Sequence, residues 1–241
     1  MTGELLSLAK RFHLSVISHG KFVPSHSDLG GEDYLLELLR AEANARDKRA
    51  RAERAKQARL PTFKDFKHFD CDFQKAVTRE QLSTLERLEW LDNAFNLVLI
   101  GPPGTGKTHI ALAVANKAVD EGYKVFFATM DSLMHILKTQ EISPKSASRV
   151  RWINKCDLLV IDEVGYLPVS KTEANLFFSL VSALYEKSSL VITSNKGFSA
   201  WDELLGDSVL ATALLDRLTH RCQVLNLDGD GWRLANRKHI F

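Results

Sequence analysis

The 241-residue sequence contains few cysteines and no stretch that could cross a membrane. Its three cysteines, Cys71, Cys156 and Cys222, lie far apart and form no C-x-x-C pair. This spacing suits reduced thiols and argues against a zinc cluster. No apolar run approaches the ~18 residues that a membrane-spanning helix needs, and charged residues interrupt the N-terminal segment. We therefore expect a soluble, cytoplasmic protein that is not exported and has no membrane partner.

A strong overall charge is also absent, because the net charge is only +2. The charge is unevenly placed, however. Between Arg40 and Arg59 the cations outnumber the acids eight to three. The basicity of the chain is therefore local. Hydrophobic residues make up 45% of the sequence, which is enough for a core in one large or two small domains.

The most specific motif is GPPGTGKT at Gly101–Thr108, which fits G-x-x-x-x-G-K-[ST]. The flanks fit as well, since Asn96–Ile100 is typical of a buried strand and His109–Asp120 has helical spacing. Phosphates would then lie at a helix N-terminus, where unpaired N–H groups and the helix dipole favour anions. The residues predicted to bind the nucleotide are Gly101, Pro102, Pro103, Gly104, Thr105, Gly106, Lys107, Thr108 and His109.

A second apolar strand, Asp157–Glu163, ends in two adjacent acids. At the carboxyl end of a strand these acids would project toward the crevice where open α/β sheets bind ligands. Asp162 is predicted to hold Mg²⁺ together with Thr108. Glu163 is predicted to polarise the attacking water as a general base.

Three further polar positions are candidates for contacts with the terminal phosphate. Asn195 follows the strand Leu190–Thr193 and could report whether that phosphate is present. Arg217 lies late in the helix Val209–His220 and is a candidate arginine finger acting in trans, unless it pairs with Asp216. Arg221 is the next candidate finger, and Arg233 is the last cation that could reach a nucleotide. Two more strands are predicted at Lys124–Ala128 and Cys222–Leu227.

The N-terminal region is predicted to be helical. Residues 4–17 place Leu5, Leu8, Ala9, Phe12 and Val16 on one helical face. After a loop at Gly20–Gly31, a long helix begins near Glu32 and ends near Leu60, because Pro61 disfavours helical geometry before it. We expect a helical N-terminal domain over residues 1–60 and a nucleotide-binding domain over residues 61–241.

The basic part of the long helix has two interpretations. It is either a solvated face held by pairs such as Arg49 with Glu53, or a surface that binds nucleic acid. The second interpretation predicts duplex binding that tolerates sequence and weakens with salt. The residues predicted to contact DNA are Arg46, Lys48, Arg49, Arg51, Arg54, Lys56 and Arg59. A second basic group follows Pro144 on a surface excursion and comprises Lys145, Arg149, Arg151 and Lys155.

Several local patterns predict how the segments between these motifs are held. Phe63, Phe66, Phe69 and Phe73 are interpreted as packing anchors, with an adenine contact for one of them as the alternative. Thr78 with Gln81 predicts a capping box. Asp131 or Ser132 could cap the helix after the second strand.

With these residues in view, the chain resembles an AAA+ ATPase, and more closely the IstB-type transposition helpers, relatives of the DnaC and DnaI helicase loaders. The resemblance rests on four segments: Gly101–His109, Asp157–Pro168, Ile192–Asp207 and Ala213–Arg221. It implies an α/β fold of the AAA+ (ASCE P-loop) class. That fold has a five-stranded parallel sheet in the order 5-1-4-3-2, flanked by helices and preceded by a small all-helical domain. Only fourteen residues follow Leu227, so no full C-terminal lid is expected.

The resemblance also implies a function. It implies ATP and Mg²⁺ as cofactors, hydrolysis of ATP to ADP and phosphate, and a homo-oligomer that forms with ATP on double-stranded DNA, remodels it and engages a partner transposase. Asn195 would be the sensor, Arg217 the trans-acting finger and Arg233 a second sensor. One alternative is a helicase loader, which would grip a replicative helicase and prefer single strands. The other is a small-molecule kinase on the same phosphate loop, which would need an acceptor pocket and would leave the basic helix without a role.

Overall fold

The computed structural model describes residues 3–25, 30–166 and 168–235. The chain divides into two compact units, Met1–Glu53 and Arg54–Phe241. The helices are α1 (Gly3–Arg11), α2 (Ser15–Ser18), α3 (Gly31–Ala58), α4 (Arg79–Arg87), α5 (Lys107–Asp120), α6 (Met130–Lys138), α7 (Pro144–Ile153), α8 (Lys171–Leu184), α9 (Trp201–Leu205), α10 (Ser208–Thr219) and α11 (Trp232–Ala235). The strands are β1 (Asn96–Ile100), β2 (Val125–Thr129), β3 (Leu158–Val164), β4 (Ser189–Ser194) and β5 (Cys222–Asn226).

The division between the units falls inside α3, and the proposed domain boundary after residue 60 stays a prediction. In the part of the chain that the structure describes, no helix combines the length and apolar character needed to cross a bilayer.

The five strands form one parallel sheet in the order β2-β3-β4-β1-β5, which confirms the predicted sheet and its order. Each strand is apolar along most of its length because both faces of the sheet are covered. On β1, Val98 packs into the core formed with α6, α8 and α10, whereas Leu97 and Leu99 pack into the core formed with α4 and α5. Because all the pairings are parallel, the carboxyl ends of the five strands lie at the same edge of the sheet.

The helix boundaries show where local sequence signals succeed and fail. The capping box of Thr78 and Gln81 begins α4 as predicted. The predicted cap of α6 is wrong, because the Thr129 side chain accepts from the Ser132 amide and Asp131 lies in the first turn. The surface excursion predicted around Pro144 is instead a regular helix. Ser143 caps a ten-residue helix there, and Pro144 occupies a first-turn position where its missing N–H costs nothing.

In the N-terminal unit, the single helix predicted over residues 4–17 is two helices. His13 has φ 56°, the Leu14 amide donates to the Ala9 carbonyl, and the His13 amide donates to the Lys10 carbonyl. These two bonds are those of a Schellman motif, which ends a helix at a left-handed residue. The predicted apolar face is consequently split. Ala9 and Val16 are buried, whereas the side chains of Leu5, Leu8 and Phe12 are exposed.

A buried carboxylate joins α2 to α3 within this unit. Glu42 is 3% exposed, and it accepts hydrogen bonds from the Val16 amide at 3.0 Å, from Ser15 at 3.1 Å, from Arg46 at 3.0 Å and from Arg49 at 3.3 Å. Burial alone would raise the pKa of Glu42, but the bonds from Val16, Arg46 and Ser15 outweigh it and lower the pKa to about 2. The ionised form of Glu42 therefore stabilises the folded unit.

We expect Glu42→Gln to destabilise this unit by about 2 kcal/mol at neutral pH, since hydrogen bonds to charged groups contribute roughly 1.5–3 kcal/mol. The pKa is depressed on folding, so the stabilisation is present above the ordinary value of 4.5 and is lost as pH falls toward 2. Thermal unfolding of wild type and variant is followed by circular dichroism between pH 7 and 3. The difference between their unfolding midpoints should shrink as the pH drops. Asp47→Asn, on the exposed side of α3, is the control. A difference that does not change with pH would contradict this role for Glu42.

The turn that leaves β1 is held by backbone contacts on two sides. The Gly101 amide donates to the Ser194 carbonyl at 3.1 Å, and the Leu227 amide donates to the Ile100 carbonyl at 2.7 Å. A Cβ on Gly101 would lie 2.3 Å from the Leu227 carbonyl oxygen. Position 101 therefore requires glycine because the backbone after β5 passes against it.

Gly101→Ala should destabilise the Arg54–Phe241 unit by about 1–3 kcal/mol without any ligand present, since an inserted methyl group must displace backbone. Chemical denaturation of the nucleotide-free protein measures this. Gly197→Ala is the matched control, because Gly197 has φ −70° and nothing lies within 4 Å of the added Cβ, and it should stay within about 0.5 kcal/mol of wild type. Equal stability of the two variants would show that the contact with Leu227 imposes no constraint.

Candidate functional site

The loop between β1 and α5 has the backbone of a phosphate cradle. Gly104 and Gly106 have φ 85° and 98°, a left-handed conformation that glycine adopts readily. Helix α5 begins at Lys107, so the N–H groups of its first turn face the loop. The Lys107 side chain folds back over the loop, where Nζ donates to the carbonyls of Gly101 and Pro102, both at 2.7 Å. The ammonium group is thus held at the centre of the turn.

The first turn of α5 is joined to the end of β3 by a side-chain hydrogen bond. Thr108 Oγ1 donates to Asp162 Oδ1 at 3.0 Å, although the two residues are 54 positions apart. Asp162 is 5% exposed and also accepts from Thr193 Oγ1 at 2.5 Å. The structure therefore brings together the two residues that were predicted to share a metal ion.

Strand β3 bulges at its two acidic residues. The register with β4 pairs Ile161 with Ile192 and then Val164 with Ser194, so two residues of β3 face Thr193 alone. Glu163 has φ 64°, and its amide donates to Thr193 Oγ1 at 3.0 Å. The bulge lies within the strand, which ends at Val164, one residue beyond the end that the sequence suggested. It turns the Asp162 side chain into the protein and leaves Glu163 exposed.

Asn195 lies directly after β4, beside this bulge. Its Oδ1 atom is buried and has no hydrogen-bond partner among the described residues. A Cβ on Gly165 would lie 3.2 Å from that oxygen, and Gly165 has φ 94°, so glycine is needed there on two grounds. A buried amide oxygen without a partner is uncommon in folded proteins, and the residue that carries it lines the cavity described next.

A cavity of about 530 Å³ opens at this edge of the sheet, entirely within the Arg54–Phe241 unit. The residues lining it come from five stretches of the sequence. They are the phosphate loop and the start of α5 (Pro103, Gly104, Thr105, Gly106, Lys107, Thr108, His109 and Leu112), the strand ends (Glu163, Tyr166, Thr193, Ser194, Asn195) with Trp232, and the segment before α4 (Thr62, Lys64, His68, Phe69, Asp70, Phe73, Gln74).

The segment before α4 packs directly on the phosphate loop. Phe69 stacks edge-on against His109 at 5.5 Å, and a Cβ on Gly106 would lie 2.7 Å from the Phe69 ring. Gln74, 5% exposed, donates to the Thr105 carbonyl at 3.2 Å. Burial lowers the pKa of His109, so the ring is neutral at pH 7, and its Nε2 donates to the Asp65 carbonyl at 2.8 Å. The segment before α4 therefore holds the phosphate loop and the start of α5 in place.

The four phenylalanines of this segment have different surroundings. Phe66 is buried in the core, as expected of a packing anchor, whereas Phe63 is 66% exposed. Phe69 and Phe73 line the cavity, so they are the two that stand beside a bound base if the cavity holds a nucleotide.

The predicted arginine fingers are placed elsewhere. Among the described residues that line the cavity, neither Arg217 nor Arg221 is found. Arg217 donates to the Ala213 carbonyl at 2.8 Å and lies over the Phe178 ring at 4.8 Å, instead of pairing with Asp216. Arg221 approaches the Asn93 carbonyl and Glu186. Arg233 belongs to α11, but its side chain lies outside the described part of the structure.

The basic residues of α3 fall into two groups. Arg46 and Arg49 are bonded to Glu42, and Arg54 donates to the Val119 carbonyl at 3.4 Å. Lys48, Arg51, Lys56 and Arg59 are exposed. On and after α7, Lys145, Arg151 and Lys155 are exposed and Arg149 is half-buried.

Three residues of this site escaped the sequence analysis. Thr193 bridges Asp162 and Glu163, Gln74 holds the phosphate loop, and the Trp232 amide donates to the Gly104 carbonyl at 3.0 Å. Thr193 carried one weak signal, since it is a polar residue inside the apolar run Leu190–Thr193. Gln74 and Trp232 carried none, because their partners are set by tertiary contacts.

The chemistry of the site fits a magnesium-bound nucleoside triphosphate. Asp162 and Thr108 offer a carboxylate and a hydroxyl oxygen, the ligands that Mg²⁺ prefers. The glycine-rich turn and the first turn of α5 offer N–H donors with Lys107 beside them. The Asn195 side chain adds an amide to the residues that line the cavity.

Comparison with known proteins agrees with this geometry. The model of the family described as "IstB-like ATP binding protein" matches residues 21–240. A Pseudomonas aeruginosa protein named for ATP binding and insertion sequence IS21 is 40% identical over 235 residues, covering 97% of this chain and 89% of the relative. A Geobacillus stearothermophilus protein named in the same way for IS5376 is 34% identical, covering 95% of this chain and 92% of the relative.

Solved structures show the same fold at lower identity. The DnaC helicase loader is 19% identical with a TM-score of 0.54, covering 70% of this chain and 96% of that one. DnaA from Aquifex aeolicus, bound to AMPPCP, is 23% identical with a TM-score of 0.58, covering 71% of this chain and 52% of that one. The fold is therefore that of AAA+ P-loop proteins. On the match to the family model and the identity with these relatives, the chain belongs to the family of IstB-like ATP binding proteins.

Proposed function

We propose that the protein is a Mg²⁺-dependent ATPase that hydrolyses ATP to ADP and phosphate. One observation carries the proposal: Thr108, which lines the cavity together with Lys107, Glu163 and Asn195, is hydrogen-bonded to the buried carboxylate of Asp162. Phosphate binding, metal ligation and a carboxylate for water are the three requirements of such a reaction, and each has a residue here.

Each residue has a role that follows from its position. Lys107 would move from the carbonyls of Gly101 and Pro102 to the β- and γ-phosphates. Thr108 and Asp162 would hold Mg²⁺, which neutralises charge on the phosphate oxygens. Glu163, held exposed by the bulge, would orient and deprotonate the attacking water. Asn195 would donate from its amide nitrogen to the γ-phosphate, or accept at Oδ1 from the attacking water.

The arginine finger would come from a second copy of the chain. Arg217 is held by the Ala213 carbonyl and Phe178 and does not line the cavity of its own chain. A guanidinium supplied in trans can contribute about 10³–10⁵ in rate. Hydrolysis would therefore require a homo-oligomer formed with ATP, with Arg233 as a possible second contact from the C-terminal helix.

Two variants separate binding from hydrolysis. Lys107→Ala should abolish nucleotide binding and ATP-dependent assembly, because the loop loses its phosphate-binding cation. Glu163→Gln should bind ATP and assemble, but its hydrolysis rate should fall by at least about 100-fold, since general-base catalysis contributes roughly 10²–10⁴. Light scattering with a non-hydrolysable ATP analogue measures assembly, and phosphate release measures turnover. Lys117→Ala, on the same helix and paired with Glu121, should leave both unchanged. Normal turnover in Glu163→Gln would remove Glu163 as the base.

We propose further that the ATPase acts in transposition, where it assembles on double-stranded DNA, remodels it and engages a partner transposase. Two kinds of observation support this. The relatives at 34–40% identity are named for insertion sequences. The chain also carries exposed cations on α3 and directly after it, among them Lys48, Lys56 and Arg59.

Two cations of the Arg54–Phe241 unit, Arg59 and Arg149, also favour DNA as a partner. Burial lowers the pKa of Arg149, and the nearby charge of Arg59 lowers it further. The two guanidinium charges therefore repel each other. A DNA phosphate would relieve that repulsion, so Arg59 and Arg149 are proposed to contact the same stretch of backbone.

Charge reversal tests the DNA contact without unfolding the N-terminal unit. Lys48→Glu, Lys56→Glu and Arg59→Glu should each weaken duplex binding and reduce the salt slope by about 1, since each removes one phosphate contact. Arg46 and Arg49 are unsuitable, because they are bonded to Glu42. Fluorescence anisotropy with duplex DNA at several salt concentrations gives the slope, with Lys171→Glu on α8 as the control. Unchanged salt slopes would mean that these cations form a solvated face that does not contact DNA. Tighter binding to single-stranded than to duplex DNA would favour a helicase loader.

A further inference from the structure

We infer that Thr193 is a positioning residue that links the metal-binding carboxylate to the catalytic base. The inference rests on the proposed ATPase activity and deepens it. Thr193 is 2% exposed, and its hydroxyl lies between Asp162 Oδ1 at 2.5 Å and the Glu163 amide at 3.0 Å. It is the β4 residue that faces the bulge of β3.

The direction of each hydrogen bond is fixed by the chemistry of the groups. The Glu163 amide can only donate, and Asp162 Oδ1 is a carboxylate oxygen that accepts. The Thr193 hydroxyl therefore accepts from Glu163 and donates to Asp162, which uses its single proton. The chain of bonds runs from the backbone of the base, through one hydroxyl, to the carboxylate that also accepts from Thr108.

This link restrains two groups that would otherwise move independently. Glu163 has φ 64°, a conformation that costs a non-glycine residue of order 1–3 kcal/mol and persists only where neighbouring contacts hold it. The Thr193 oxygen is the acceptor that holds the Glu163 amide in that conformation. The same hydroxyl holds Asp162 Oδ1 toward Thr108. Loss of the hydroxyl would therefore loosen both the metal ligand and the base.

The contacts with the rest of the nucleotide do not pass through Thr193. Lys107 and the phosphate loop are held by Gly101, Pro102 and the Gln74 bond to Thr105. Removal of the Thr193 hydroxyl should thus affect Mg²⁺-dependent binding and the chemical step, whereas binding of metal-free nucleotide should persist. A residue that only fills space in β4 would not separate these quantities.

The test compares Thr193→Val, which keeps the shape but has no hydroxyl, with Thr193→Ser, which keeps the hydroxyl. Binding of a fluorescent ATP analogue is measured in EDTA and in Mg²⁺, together with kcat and the Mg²⁺ concentration at half-maximal rate. In Thr193→Val we expect metal-free affinity within about threefold of wild type, and a loss of about 10–100-fold in Mg²⁺ affinity or kcat, as for other groups that orient metal ligands. Thr193→Ser should restore most of both. Thr212→Val on α10, whose hydroxyl bonds only to the Ser208 carbonyl among the described residues, is the control for this exchange.

The outcomes are distinct. If Thr193→Val keeps the wild-type Mg²⁺ dependence and kcat, or if Thr193→Ser is as impaired as Thr193→Val, the inference is wrong. If wild type shows no Mg²⁺-dependent nucleotide binding or hydrolysis, the proposed function fails first. Should Thr193→Val not fold, Thr193→Cys replaces it, because a thiol is a weaker donor and acceptor of similar size. The cysteine variant is then expected to show a partial loss, and wild-type behaviour would overturn the inference.

Discussion

The hydrogen bond between Thr108 and Asp162 is the contact on which the site depends. It joins the first turn of the helix after β1 to the bulged end of β3, and so fixes the distance between a phosphate cradle and two carboxylates. Parallel pairing makes this possible, because the carboxyl ends of β1, β3 and β4 meet at one edge. The residues that would bind phosphate, metal and water are distant in the sequence, and the sheet order brings them into one cavity.

Elements with a local cause were predictable from the sequence. The phosphate loop, the five buried strands and the capping box of α4 each depend on residues within a few positions of one another. The break at His13 was missed because a Schellman motif at a non-glycine residue leaves no clear pattern in the sequence. The helix at Pro144 was missed because serines and a proline were interpreted as a loop, although Ser143 and Pro144 are suitable for a helix start.

The parts of the site that depend on register could not be predicted. A bulge that places Thr193 opposite two acids follows from how β3 and β4 pair, and no spacing within either strand reveals it. The support of the phosphate loop by Gln74 and Phe69 likewise depends on where an irregular segment packs. The count of cations on α3 overstated its available charge for a different reason, since Glu42 pairs with Arg46 and Arg49 along the same helix.

The first glycine of the phosphate motif has a meaning of its own. Gly101 lies against the carbonyl of Leu227, so the backbone directly after β5 excludes a side chain there whether or not a nucleotide is bound. The fold itself therefore requires glycine at this position, independently of nucleotide binding. A descendant of this chain that had lost the ability to use nucleotides would still retain that glycine while it kept the sheet. Decay of the motif in such a lineage should therefore begin at Lys107 and Thr108, which makes those two residues the better markers of a working enzyme.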